Sequence, residues 1–296
     1  MENKYLVLAY YKYVDVENPH REVMVHKKFF KNRDALGRIY ISEEGINGQI
    51  SASEEVANSY MKWMANRKMF HDVEFKIHEH PQHTFHKMTV KYRKELVALK
   101  YKVDLQQGGE HVSPQKWREM IESGEYVLLD VRNDYEWEIG HFESAEKPDC
   151  RYFRDFPKYA DQFKEKYDPE ESKIMMCCTG GIRCETFSAL LKENGYKQVY
   201  QLDGGMIKYG LEEGTKHWKG KLFVFDERLS VPIDNKTELP AISHCYICKE
   251  PADMYYNCAD VECDRLFLGC DRCREELQGF CSEQCLQKVQ EKNSVS

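Results

Sequence analysis

The sequence predicts an α+β multidomain chain: a ferredoxin-like N-terminal domain over 1–100, an α/β domain with a parallel sheet over 101–219, and a small Cys-rich C-terminal module over 220–296. Three observations carry this. The first hundred residues read strand-helix-strand-strand-helix-strand, the order that folds one small sheet with helices on one face. From Ser113 onward apolar strands alternate with amphipathic helices, the grammar of a parallel sheet buried on both faces. Eight of the twelve cysteines then crowd between Cys245 and Cys285, in a segment with too little core to stand alone.

At 296 residues the chain has room for two or three domains. No stretch approaches the roughly 18 to 20 uninterrupted apolar residues of a membrane span, and Met1-Glu2-Asn3-Lys4 lacks a signal peptide's basic start and apolar core. The expected setting is therefore the cytoplasm, with no membrane partner. A net charge of −7 confines any polyanion site to a local patch. In a reducing compartment, short-spaced cysteine pairs argue for metal rather than disulfides.

Within the first domain, 5–14 is a strand rich in Tyr, Val and Leu, and 19–36 carries helical periodicity that stops at Gly37. A hairpin is expected over 37–51, with Gly45-Ile46-Asn47-Gly48 supplying positive backbone angles in its turn, or presenting Asn47 to substrate. Glu54 and Glu55 open a second helix that lasts to about 71, and 73–77 and 88–99 are extended. Six Lys or Arg lie between His80 and Lys102 against one acid, Glu95. Strand alternation puts Thr89, Lys91 and Arg93 together on an open face, where they either protect a sheet edge or meet phosphates.

In the second domain Ser113 caps a helix with Pro114 at its first position, and a nearly continuous apolar strand over 126–132 ends in Asp130 and Arg132. A short helix and turn with Glu136, Gly140 and His141 follow, then a helix near 153–167. The reactive element is Cys178-Thr179-Gly180-Gly181-Ile182-Arg183, between a buried strand over 174–177 and a helix that stops at Gly195. Paired glycines allow successive N–H groups to point inward, and the helix start adds the positive end of its dipole. Such a nest, with Arg183 beside it, acidifies a thiol from its free pKa of about 8.5, so Cys178 is expected to be largely thiolate at neutral pH. A structural cysteine in a tight turn is the alternative. Cys177, at the strand's end, should point away from the nest.

The last segment opens with a strand over 220–226, carries Asp226 and Arg228, and passes through Pro232 into a polar linker. Cys245-x2-Cys248, Cys258-x4-Cys263, Cys270-x2-Cys273 and Cys281-x3-Cys285 follow. Eight thiols suit two tetrahedral, structural Zn2+ sites, paired sequentially or interleaved; spacing leaves both open, and disulfides or free thiols are the alternative. No nucleotide-cofactor motif is present.

Two resemblances rest on these residues. Asp130-Val131-Arg132, Glu136, Gly140-His141 and Ala145, with the Cys178 loop and Leu202-Asp203-Gly204-Gly205, resemble the rhodanese domain, which implies that Cys178 carries a persulfide, with Asp130, Arg132, Glu136 and His141 in support. Cys184 would either resolve that persulfide or pack; packing is expected, its thiol turned elsewhere. More specifically, Glu44-Gly45-Ile46-Asn47-Gly48, the fused Cys-Thr-Gly-Gly-Ile-Arg-Cys-Glu and Phe223-Val224-Phe225-Asp226-Glu227-Arg228 together resemble the three-part bacterial tRNA uridine hydroxylases. That resemblance covers nearly the whole chain. It implies an enzyme that uses O2 to make 5-hydroxyuridine at the wobble position, with a tRNA anticodon loop as substrate and a sulfur- or electron-donor protein as a further partner. Lys91, Arg93 and Asn47 are then the RNA contacts to expect, and Asp226 and Arg228 either brace the site or form a structural ion pair. Three rivals stand beside this reading: sulfur transfer through a Cys178 persulfide, an RNA or protein adaptor with a vestigial rhodanese domain, and a phosphatase in which Cys177, five residues and Arg183 form the phosphate loop.

Overall fold

The computed structural model describes residues 4–294 and builds the first domain on one mixed sheet. Strand β1 (Tyr5–Tyr13) leads to helix α1 (Pro19–Phe30), whose cap Asn18 accepts from the Arg21 N–H at 2.9 Å. Next come β2 (Ala35–Ser42), β3 (Gly45–Ser53), α2 (Glu54–Ala65), β4 (Lys76–His80) and β5 (Met88–Tyr92). The order across the sheet is β4-β1-β3-β2-β5, antiparallel except that β5 runs parallel to β2 at the edge. Helices α1 and α2 cover one face, where Leu8, Ile39, Ile41, Ile46 and Ile50 pack on Val23, Phe30, Tyr60 and Met64.

Three expectations about this domain need correction. The first helix ends at Phe30 rather than Leu36, because Lys31 is extended, Asn32 takes a φ of 59°, and Ala35 and Leu36 pair with β3. Gly37 is therefore a strand residue; a Cβ there would lie 2.3 Å from the Gln49 carbonyl oxygen. Sheet pairing outweighed a helical pattern whose last turn had no partner. The hairpin turn is Glu43-Glu44 alone, so Asn47 and Gly48 belong to the body of β3, opposite Tyr11 and Tyr10 on β1. The second helix stops at Ala65, and the extended runs become Lys76–His80 and Met88–Tyr92.

The second domain runs β6 (Glu110–Val112), α3 (Pro114–Ser123), β7 (Val127–Asp130), α4 (Asp134–Ile139), β8 (Gly140–Phe142), α5 (Phe156–Lys166), β9 (Lys173–Cys177), α6 (Ile182–Glu193), β10 (Gln198–Leu202) and α7 (Gly205–Glu213). Its parallel sheet is ordered β6-β10-β9-β7, with core on both faces. Alternation along β9 sends Ile174 and Met176 into the layer with Phe156, Phe163 and Phe187, and Met175 and Cys177 into the layer with Trp117 and Tyr209. Strand β11 (Trp218–Gly220) pairs with β8.

Beyond it, the single strand expected over 220–226 is replaced by a short hairpin of β12 (Leu222–Phe223) and β13 (Ser230–Val231). The Glu227 N–H donates to the Thr84 carbonyl at 3.0 Å, tying this segment to the N-terminal domain. The Cys-rich module contains β14 (Tyr255–Asn257), β15 (Leu266–Leu268), α8 (Asp271–Glu276) and α9 (Glu283–Ser294). Among the described residues no helix is long and apolar enough to cross a membrane.

Candidate active site

Cys178 follows β9 directly and is fully buried at the floor of a cleft of about 550 Å3. Burial pushes its pKa up, but the Cys184 thiol, the Arg183 charge and the backbone N–H groups of Arg183 and Cys184 outweigh burial and lower it from 9.0 to about 5. Gly181, with a φ of 100°, turns its N–H onto the sulfur at 3.1 Å. The loop is held from below by α7: the Met206 N–H donates to the Cys178 carbonyl at 3.0 Å, and the Ile207 N–H donates to the Thr179 carbonyl at 3.1 Å. That approach explains Gly205, where a Cβ would lie 2.7 Å from the Cys178 carbonyl oxygen and the Gly181 nitrogen. Gly180 and Ile182 line the cleft beside the sulfur.

The two neighbouring cysteines differ. Cys177 is turned to the far side, with its sulfur 3.8 Å from the Leu129 carbonyl, and burial pushes its thiol up. Cys184, in the first turn of α6, is buried with its sulfur 3.8 Å from the Met176 carbonyl, and burial followed by the neighbouring Cys178 pushes its thiol up.

Behind the loop, Arg183 forms a two-pronged pair with the buried Glu136 at 2.5 and 2.7 Å, and Thr179 Oγ1 donates to Glu136 at 3.2 Å. Asn133, at the start of α4, donates to the same carboxylate from its backbone and side chain at 3.1 and 2.8 Å. Burial opposes the Glu136 charge, but Arg183 holds its carboxyl below the usual carboxylate range. Asp130, Arg132 and His141 lie apart from the cleft. Arg132 bonds both Asp130 oxygens and the Gly140 carbonyl, and His141 stacks on Trp137 at 3.9 Å. Asp226 and Arg228 form a similar two-pronged pair that closes the turn between β12 and β13.

The roof is the open face of the N-terminal sheet. Register places Ala9, Gln49 and Arg38 in one row and Tyr11, Asn47 and Tyr40 in the next. All six line the cleft, with Lys76 from β4 and Tyr152, Phe153, Arg154 and Phe225 as walls. Tyr11 donates to Glu185 at 2.9 Å and sits over Gly181, where a Cβ would be 2.9 Å from its oxygen. Lys76 Nζ lies 5.1 Å from the centre of the Tyr11 ring; burial pushes its pKa down while the Cys178 charge draws it up. Lys91 lies opposite Tyr40 on this face, and Arg93 covers Tyr40 at 4.9 Å, but neither reaches the cleft lining. Sequence reasoning missed Tyr11, Arg38, Tyr40, Gln49, Lys76 and Arg154. The alternation in β1 to β4 was a usable signal for the sheet residues, since it separates an apolar face from one carrying Tyr, Arg, Asn and Gln.

The eight clustered thiols fall into Cys245, Cys248, Cys270 and Cys273, and Cys258, Cys263, Cys281 and Cys285. The pairing is interleaved, first pair with third and second with fourth. Within each set the ligand sulfurs lie within 4.8 Å of one another, with contacts of 3.6 Å for Cys248–Cys270, 3.8 Å for Cys263–Cys281 and 3.7 Å for Cys281–Cys285. A tetrahedron with Zn–S bonds of about 2.3 Å has edges of about 3.8 Å, so both sets fit a closed four-thiolate metal site.

Three family models match along the chain. The UPF0176 acylphosphatase like domain matches residues 5–96, the Rhodanese-like domain 113–212 and the Rhodanase C-terminal region 219–286. A Chlamydia abortus protein named tRNA uridine(34) hydroxylase is 52% identical over 288 residues, covering 97% of this chain and 88% of that protein. A Protochlamydia amoebophila protein of the same name is 50% identical over 285 residues, covering 96% and 89%. Among solved structures, a rhodanese-like domain from Anabaena sp. is 19% identical, covering 37% of this chain and 78% of that one, with a TM-score of 0.32. With half its residues identical to these bacterial proteins along almost all of its length, the chain belongs to the tRNA uridine(34) hydroxylase family.

Proposed function

We propose that the protein hydroxylates carbon 5 of the wobble uridine of tRNA, with O2 as co-substrate and Cys178 as the reacting group. The observation that carries this is an acidified thiolate on the floor of a cleft whose roof is an aromatic and cationic sheet face. Uracil is electrophilic at C6; a thiolate adding there leaves C5 carbanion-like and open to oxygen, and once C5 carries the hydroxyl, loss of the C5 proton expels the thiolate from C6 and restores the ring double bond. Placing one oxygen atom on C5 and releasing the other as water takes two electrons and two protons, so an electron-donor protein is a further partner. Tyr11, Tyr40, Tyr152 and Phe225 offer stacking surfaces for an extruded base, and Arg38, Lys76 and Arg154 offer charge to its phosphates. An anticodon-loop uridine is already single-stranded, which lowers the cost of extruding it. Lys91 and Arg93 continue the positive face outward from the cleft. The interleaved thiol sets hold two structural Zn2+, which supply folding energy to the module rather than chemistry to the cleft. The cytoplasm is the compartment in which such a substrate is met.

The second reading is sulfur transfer from a Cys178 persulfide, favoured by the ring of N–H donors around the sulfur. The phosphatase register draws no support, because the Cys177 thiol faces Leu129 rather than the loop. Mass spectrometry of tRNA nucleosides from cells lacking the protein, complemented with wild type or Cys178→Ser, tests the choice. Nucleosides derived from 5-hydroxyuridine should return only with wild type. Their persistence in cells lacking the protein and in cells carrying Cys178→Ser, with no redundant pathway, would leave sulfur transfer as the better reading.

A further inference from the structure

We propose that a second cleft, between the α/β domain and the Cys-rich module, binds the nucleotide adjacent to the target uridine on the same RNA strand. The proposal rests on the tRNA-modifying reading above and adds a subsite to it. The cleft has a volume of about 640 Å3, and its lining includes Tyr152, Tyr246 and Arg265. That volume lies within the range that holds small-molecule-sized groups.

Its position relative to Cys178 is the first reason. Tyr152 lines both clefts and so forms the ridge between them. Its ring has the Arg154 guanidinium at 4.5 Å and the Arg151 guanidinium at 5.4 Å. Arg154 lines the first cleft and Arg151 the second. A strand whose target base enters the first cleft has its next nucleotide at this ridge.

The second reason is the surface beyond the ridge. Tyr246 is 43% exposed, with Arg265 at 4.2 Å and Lys249 at 5.2 Å from its ring centre. Arg265 also donates to the Tyr246 hydroxyl at 2.9 Å, which holds the guanidinium in place. Eight large apolar or aromatic side chains are exposed among the described residues, and three of them, Tyr152, Tyr246 and Leu266, line this one cleft. Exposed aromatic rings flanked by cations are the means by which proteins hold single-stranded RNA: the bases stack and the phosphates meet charge. On a chain of net charge −7, Arg151, Lys249 and Arg265 here outnumber Asp134 and Glu138, and Glu138 is already bonded by the Tyr255 hydroxyl. The Cys-rich module then has a role in substrate placement, because it contributes Tyr246, Lys249 and Arg265.

Photo-crosslinking and binding test this with the full-length, metal-loaded protein. The probe is a synthetic anticodon stem-loop RNA carrying 5-iodouridine either at the target position or at the position on either side of it. A flanking iodouridine should crosslink to a peptide containing Tyr152 or Tyr246, and the target position should not crosslink to Tyr246. The Tyr246→Ala/Arg265→Ala double variant should weaken hairpin binding about tenfold or more and flatten its salt dependence, while Tyr246→Phe, which keeps the ring but removes the hydroxyl that positions Arg265, should lose clearly less affinity than the double variant. Metal content verifies that the variants fold, and the crosslinks need no variant. Flanking crosslinks that fall elsewhere, or unchanged binding by the double variant, overturn the subsite if wild type still binds and hydroxylates the hairpin. Lost activity with unchanged RNA affinity would assign the surface to a protein donor and also overturn it. A wild-type protein that neither binds nor hydroxylates the hairpin would remove the parent reading as well.

Discussion

The Cys178 sulfur sits in opposed fields. Burial alone would keep it a thiol, yet a neutral Cys184, the Arg183 charge and inward N–H groups lower its pKa to about 5. The thiolate is therefore lost only as pH falls through about 5, and iodoacetamide should alkylate Cys178 at a nearly constant rate above about pH 6. Mass-spectrometric alkylation profiles check this; a midpoint near the free-thiol value of about 8.5 would remove the acidified nucleophile. Cys178→Ser should abolish hydroxylation, whereas Cys177→Ser should cost about 1 kcal/mol of stability and leave activity, because that side chain serves β7 and not the cleft. Equal loss in both would revive the phosphatase register.

One element higher, the loop depends on the Arg183–Glu136 pair, which joins the start of α6 to the first turn of α4. Glu136→Ala leaves a buried guanidinium without its partner and should cost about 3–5 kcal/mol, read as a lower denaturation midpoint. Because the folded pKa of Glu136 is depressed, its contribution is complete above its unfolded value of about 4.3 and is lost as pH falls through the folded value. Denaturant titrations of wild type and variant should therefore converge in acid. A gap that stays constant there would show the loss to be one of packing. At this scale the strand, glycine loop and helix around Cys178 were legible, because their signals lie within about twenty consecutive residues. The turn at Glu43-Glu44 was not. Asn47-Gly48 is a stronger local turn signal, and only pairing of β3 with both neighbours places it mid-strand.

At the scale of the whole molecule, the metal should hold the C-terminal module in place under the α/β domain. Elemental analysis of protein purified without chelator should show about two zinc per chain. Stripping the metal should expose the segment after Pro240 to protease while the parallel sheet survives. No metal with intact thiols, or iron in its place, would contradict that expectation.

Chain order alone was enough for the three-part architecture, the thiol in its glycine nest and the eight clustered thiols, because each is written in neighbouring residues or in a simple count. The partners of the sulfur across the cleft are another matter. Tyr11, Arg38 and Lys76 come from three strands of a different domain and meet Cys178 only when the sheet's open face docks over the loop. The basic run around Lys91 and Arg93 is the more conspicuous in sequence, but its edge strand puts it outside the lining. The division of eight thiols into two interleaved sets has the same cause. Spacing along the chain satisfies either pairing, and the choice is made by which sulfurs lie about a tetrahedron's edge apart once β14, β15 and α8 have packed.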